Sequence, residues 1–260
     1  MFISPLIQQR PVKTPASMDD ALAIVYLPSN VHARNRLLGI DAGYSAAVGA
    51  VKDITISTGP ATVDGLLSVT TLSRGSTDTA VAFTGFQYVA SRAGLGKALD
   101  VVGIALAAGT IPTDKWGIYL FHIHKTTGVV SSTAGAANFG AGYDNEAAAI
   151  AALPDTPAGE ISVGHVTILT KLAVPFIGGT DALQGGASGN VSADTNFYQT
   201  AVDITLTEVT TIPWDFAGGS YSQHLGAQFH TLLDQALAVQ LEASGTGGVV
   251  GDITAWVSGP

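Results

Sequence analysis

His122 and His124 stand two apart in the segment WGIYLFHIH, a spacing that puts both imidazoles on one face of a β-strand. A metal centre would use such a pair, and His165, on a separate strand-like segment, is the obvious third ligand. No cluster of Asp, Glu or His follows at a ligand spacing, so the expectation is no metal. Nucleophilic chemistry has less to work with: serines are many and histidines six, but there is no G-x-S-x-G elbow and no cysteine. STGPATVDG lacks the G-K-[ST] ending that a phosphate-cradling loop needs, and the G-x-G of RAGLGKALD stands before an element of ambiguous type. Asp144 with Glu146, and Asp19 with Asp20, could be paired carboxylates for glycoside hydrolysis. Both pairs fit the start of a helix better, where acidic side chains cap exposed N–H groups. Trp116, Tyr119, Tyr143 and Trp214 are the candidate stacking residues of a carbohydrate platform, but aromatics make up only 7% of the chain and are scattered. The residues assign no catalytic group and no cofactor.

The elements that would carry these side chains are mostly strands. From Lys52 onward DITISTG, GLLSVTTL and TAVAFTGFQYVA alternate apolar and polar residues, with STGPATVDG and SRGSTD as turns. KALDVVGIALAAG leans toward strand through its β-branched residues, and WGIYLFHIH is a strand. DNEAAAIAAL reads as a short helix with Asp144 as its N-cap and Pro154 as its stop. ISVGHVTIL and AVDITLTEVTTI complete a β domain over 51–212.

The flanks read differently. Residues 1–16 carry Pro5, Pro11 and Pro15 and are expected as an extended arm; MDDALAIVY could be a short helix, and 39–50 is Gly/Ala-rich and linker-like. Beyond the loop IPWDFAGGSY, Ser222 can cap an amphipathic helix running to about Ala243, with Leu225, Phe229, Leu232, Leu233 and Leu237 on its apolar stripe. VVGDITAWVSGP ends the chain as a strand. The predicted architecture is mainly β: a sandwich or barrel-like domain with one inserted helix, an arm and linker over 1–50, and a helix with a terminal strand over 213–260.

Only 12% of the 260 residues are charged and 47% are hydrophobic, against roughly a quarter charged in ordinary soluble domains. A surface so poor in charge suggests cover by copies of the chain or by partners. No apolar run approaches the roughly 20 residues of a membrane-spanning helix, and the proline-bearing start does not read as an export signal, so a soluble protein is expected. The net charge of -9 argues against a broad nucleic-acid surface. Eight of the twenty acidic residues, and none of the eleven Lys and Arg, lie beyond Lys171. Arg10, Lys13, Arg34 and Arg36 make the start mildly basic, which suggests that this arm docks on an acidic C-terminal face, in another subunit by preference. The expected interface residues are those four bases together with Leu225, Phe229, Leu232 and Leu237.

Across 51–200 the order W-G-I-Y, then G-Y-D-N-E-A-A-A-I-A-A-L-P-D-T-P-A-G, G-H-V-T-I and F-I-G-G-T-D-A-L resembles virion structural proteins of tailed bacteriophages. The resemblance implies a particle component without catalytic role. Its head decoration or cement proteins sit on the capsid exterior, bind the major capsid protein and often act as homotrimers assembled in the host cytoplasm. A tail, baseplate or fibre-associated protein and a carbohydrate-binding adsorption module are the competing roles.

Overall fold

A computed structural model describes residues 8–13, 23–27, 36–60, 64–68, 71–83, 86–90, 94–98, 101–170, 174–183, 193–201, 204–216, 220–230, 235–242, 249 and 251–259. The first strands are β1 (Gln8–Lys13), β2 (Ala23–Leu27), β3 (Arg36–Tyr44), β4 (Val51–Pro60), β5 (Gly65–Leu66), β6 (Leu72–Arg74) and β7 (Ala80–Phe83). There follow β8 (Phe86–Ala90), β9 (Gly94–Ala98), β10 (Val101–Ala105), β11 (Gly109–Ile111), β12 (Trp116–His124) and β13 (Val130–Ala134). The helix α1 (Glu146–Ala151) comes next. The chain closes with β14 (Glu160–Thr170), β15 (Phe176–Gly178), β16 (Ala193–Gln199), β17 (Thr207–Asp215), β18 (Tyr221–His230), β19 (Gln235–Leu241) and β20 (Gly251–Gly259). Mainly β with a short inserted helix is therefore the fold class.

Contacts divide the chain into two compact units, each discontinuous in sequence, rather than at 50/51 and 212/213. The first comprises 1–67, 88–97 and 203–260, and the second 68–87 and 98–202.

In the first unit two four-stranded antiparallel sheets, ordered β1-β20-β3-β18 and β17-β4-β19-β2, share one core. Leu37, Ile40, Ile253 and Ala255 enter it from one sheet, and Ile54, Ile56, Leu237 and Val239 from the other. This is a β-sandwich, with period-two alternation along β20, and along β3 from Ile40 onward, sending alternate side chains inward; a register shift between Leu37 and Gly39 brings Leu37 onto the same face. Full burial of each such Leu, Ile or Val contributes roughly 1.5–3 kcal/mol. A small sheet ordered β5-β8-β9 belongs to the same unit.

The terminal helix predicted from Ser222 to about Ala243 is replaced by strands β18 and β19, with 231–234 outside the described residues. Leu, Ala and Gln favour helices, but β19 is paired on both sides, with β4 and with β2, and tertiary pairing overrides that preference. Its residues Ala236–Val239 are buried without a break, so the two-residue alternation that would announce a strand is lost. The helix expected in MDDALAIVY is corrected likewise: Ala23–Leu27 form β2, while 14–22 lie outside the described residues. The linker-like 39–50 contributes most of β3, and the supposed loop from Ile212 contributes the end of β17.

In the second unit the main sheet runs β13-β12-β14-β16, all antiparallel. Gly117–Ile123 of β12 are buried throughout, as the middle of a sheet covered on both faces requires. Phe83 meets Phe121 edge to face with centroids 5.2 Å apart. Sheets β10-β7-β6 and β11-β15 complete this unit. The predicted helix is present, capped one residue later than expected. Asn145, not Asp144, holds extended backbone and accepts from Ala148 N at 2.8 Å, while Asp144 pairs with Lys115.

Candidate functional site

The three histidines singled out in the sequence take three separate tasks. His122 is buried, its Nδ1 against Glu160 Oε2 and its Nε2 2.8 Å from Thr133 Oγ1. These partners tie β12 to its neighbours β13 and β14. Hydroxyl, imidazole and carboxylate in this order is the arrangement of an acyl-transfer relay. Thr133, however, sits in mid-strand opposite Leu120, not at a turn where backbone N–H groups could converge on an oxyanion. His124 Nδ1 accepts from Thr126 N and Thr127 N, each at 3.2 Å, and so closes the turn after β12. His165 stacks on Tyr198 at 4.8 Å. Among the described residues no three His, Cys, Asp or Glu side chains gather as a metal-ligand set.

Glu146, read in the sequence as a helix-start carboxylate, reaches from α1 to the sheet beneath. Its Oε1 accepts from Thr167 Oγ1 at 2.6 Å and from Asn196 Nδ2 and Tyr198 OH at 2.7 Å each. Burial pushes the carboxyl up, but the three hydrogen bonds and the adjacent His165 outweigh it and hold the group below the ordinary range. Burial pushes His165 down, and Glu146 offsets this only in part. The hydrogen bond to Glu146, followed by burial, raises the Tyr198 hydroxyl. An ionised carboxylate with three donors is a clamp between helix and sheet, and it leaves little capacity for proton transfer.

The proposed stacking residues do not form one platform. Tyr119 is fully buried, and Trp116 and Tyr143 exchange backbone hydrogen bonds at 2.9 Å in the second unit. Trp214 belongs to the first unit, 42% exposed and edge-on to Tyr221 at 5.2 Å. The expected interface residues are also dispersed. Arg10 and Lys13 lie on β1, opposite Val257 and Thr254 of β20 in the same chain; Arg36 is exposed on β3. Arg34 and Leu232 lie outside the described residues, and Leu225 is on β18. Leu237 belongs to the sandwich core and Phe229 packs against it, which removes both from an exposed stripe.

Comparison with known proteins finds no matching family model, no matching curated protein and no matching solved structure.

Sequence reasoning missed the outer face of sheet β1-β20-β3-β18. Two rows of polar residues cross it. Asp41 of β3 stands between Ser222 of β18 and Thr254 of β20 in register; the next row sets Gly43 opposite Asp252, with Ser220 beside it. These residues line an open cleft of about 560 Å³. Asp41 Oδ1 accepts from Ser222 Oγ at 2.6 Å and Oδ2 from Trp256 Nε1, so its carboxylate is held from two sides. Tyr44, also on the wall, gives its hydroxyl to Glu242 O at 2.6 Å; burial and then Glu242 push it up to about 12. The signal in the sequence was the alternation of Asp41, Gly43 and Ser45 with apolar neighbours, hidden by the Gly/Ala-rich composition of 39–50.

Proposed function

We propose that this chain is a non-enzymatic virion structural protein of a tailed bacteriophage, a head decoration or cement protein that binds the major capsid protein as a homotrimer on the capsid exterior. Two things support this reading. The segments that carry the phage resemblance fall on elements of one unit: W-G-I-Y opens β12, D-N-E-A-A-A-I-A-A-L holds α1, G-H-V-T-I lies in β14 and F-I-G forms β15. The observation that carries the role is the exposed apolar side chains on the paired strands β4 and β17. Trp214, 42% exposed, stands opposite Lys52 on one face, Val51, 58% exposed, opposite Asp215 on the other, and Val209, 51% exposed, lies in the register break between them and the strand start, in a chain with few charges.

Among the described residues β17 is an edge strand, and an open edge invites further strand pairing. Pro213 removes one N–H from it, and the register breaks between Glu208 and Thr210. Both features oppose addition of a strand, so the contact is made by side chains, with Trp214 as the aromatic anchor. Such a protein stabilises a shell by binding the assembled lattice more tightly than free subunits.

Binding of the purified chain to capsids that lack it tests this reading. The expected result is saturable binding that Trp214→Ser weakens at least tenfold without altering the melt. Binding to isolated tails instead of capsids transfers the protein to the tail. Binding to neither removes the particle role.

A further inference from the structure

We propose that the cleft on the outer face of sheet β1-β20-β3-β18 is a binding site for a neutral saccharide. Its chemistry differs from that of the exposed apolar strands, and the proposal stands whether or not the protein decorates a capsid.

The construction follows from strand geometry. Asp41, Gly43, Ser222, Asp252 and Thr254 lie on three neighbouring strands and share one face, because partners in register project to the same side. Their chain neighbours Ala42, Tyr221 and Ile253 are buried in the sandwich core, so the polar set projects outward. Gly43 has no side chain in the middle of this set, and the depression is formed around it. A volume of about 560 Å³ lies inside the roughly 300–1,000 Å³ of small-molecule sites.

The lining selects the ligand class. Serine and threonine hydroxyls both donate and accept, and an ionised carboxylate accepts at up to about four positions, so the set matches a compound whose hydroxyls do both. Asp41 uses one position on each oxygen for Ser222 and Trp256 and is oriented by them, leaving its remaining lone pairs for ligand hydroxyls. Trp256 shares the face of Thr254 and is half-buried, and its indole N–H fixes the carboxylate from beside the cleft, while the ring of Tyr44 in the wall gives the apolar side of a sugar ring a surface. Among the described residues the charged side chains that line the cleft are Asp41 and Asp252, which repel a uronate, sialate or phosphate.

Calorimetric titration of the full chain with glucose, galactose, mannose, N-acetylglucosamine, lactose and maltose tests the site, with glucuronate and calcium chloride as further arms. At least one neutral sugar is expected to bind with a millimolar or tighter Kd, and glucuronate at least tenfold more weakly than the best of them. Asp41→Asn is expected to weaken sugar binding at least tenfold. Gly43→Val is expected to abolish it with an unchanged melt, because a Cβ at 43 meets only Ser220, at an ordinary 3.5 Å from its Cβ. Gly43→Ala carries the same test in a smaller step if the valine variant fails to fold. Failure of every neutral sugar to bind, binding that survives the substitutions at Gly43, or a response to calcium chloride alone would overturn the proposal.

Discussion

Asn138 shows how single side chains hold the second unit together. It is fully buried, with Oδ1 accepting from Ile118 N at 2.9 Å and Nδ2 donating to Ile118 O at 2.8 Å. The amide thus supplies what a neighbouring strand would give to the backbone of β12. Asn138→Ala takes the acceptor from buried Ile118 N, while Ile118 O keeps Gly135 N at 2.8 Å, and is expected to cost about 1–3 kcal/mol by denaturant unfolding. Glu146 and His165 act through charge. The carboxyl, shifted below its ordinary 4.5, contributes stability that is complete above that value and is lost as pH falls through the folded one. The imidazole, shifted below 6.5, likewise adds stability that is complete above 6.5 and lost on acidification. The melting temperature is therefore expected to fall in two stages on acidification. Glu146→Gln should flatten the lower stage and His165→Phe the upper; equal acid sensitivity in all three proteins would disprove the assignment.

At the scale of elements, strands with one buried face were legible and those buried on both faces were legible only in part. WGIYLFHIH announced β12 although it is buried on both sides, because Tyr, Phe and Ile at that density leave few alternatives. QALAVQL offers no such cue: alanine and leucine fit a helical stripe equally well, and only the pairing with β2 and β4 decides for β19. α1 was found because Asn and Asp followed by alanines and ended by proline is local chemistry that needs no partner. The cleft escaped notice because its parts are far apart in sequence, with Asp41 and Thr254 brought together by antiparallel pairing alone. The strand assignment makes its own prediction. Ala238 lies opposite both Ser57 and Tyr26, so Ala238→Pro removes a ladder donor in mid-sheet and should abolish the cooperative melt of the sandwich. An amphipathic surface helix there would lose stability but leave the β core intact.

For the whole molecule, the division into two discontinuous units changes what the N-terminal segment is expected to do. Gln8–Lys13 pair residue by residue with Thr254–Gly259, so the basic start lies along the strand that closes the acid-rich part of its own chain. Deleting residues 1–16 uncovers the edge of β20 and is expected to lower the melting transition of the sandwich while leaving that of the second unit in place. A truncated protein with both transitions unchanged would return the segment to the role of a free arm. The central claim concerns protein contacts on a particle, and stoichiometry tests it most directly. On the proposed phage role, quantitative mass spectrometry of purified particles from the source of this sequence should find the chain in fixed proportion to the major capsid protein. Its absence from those particles, or recovery only at the low copy of a tail component, would contradict the account.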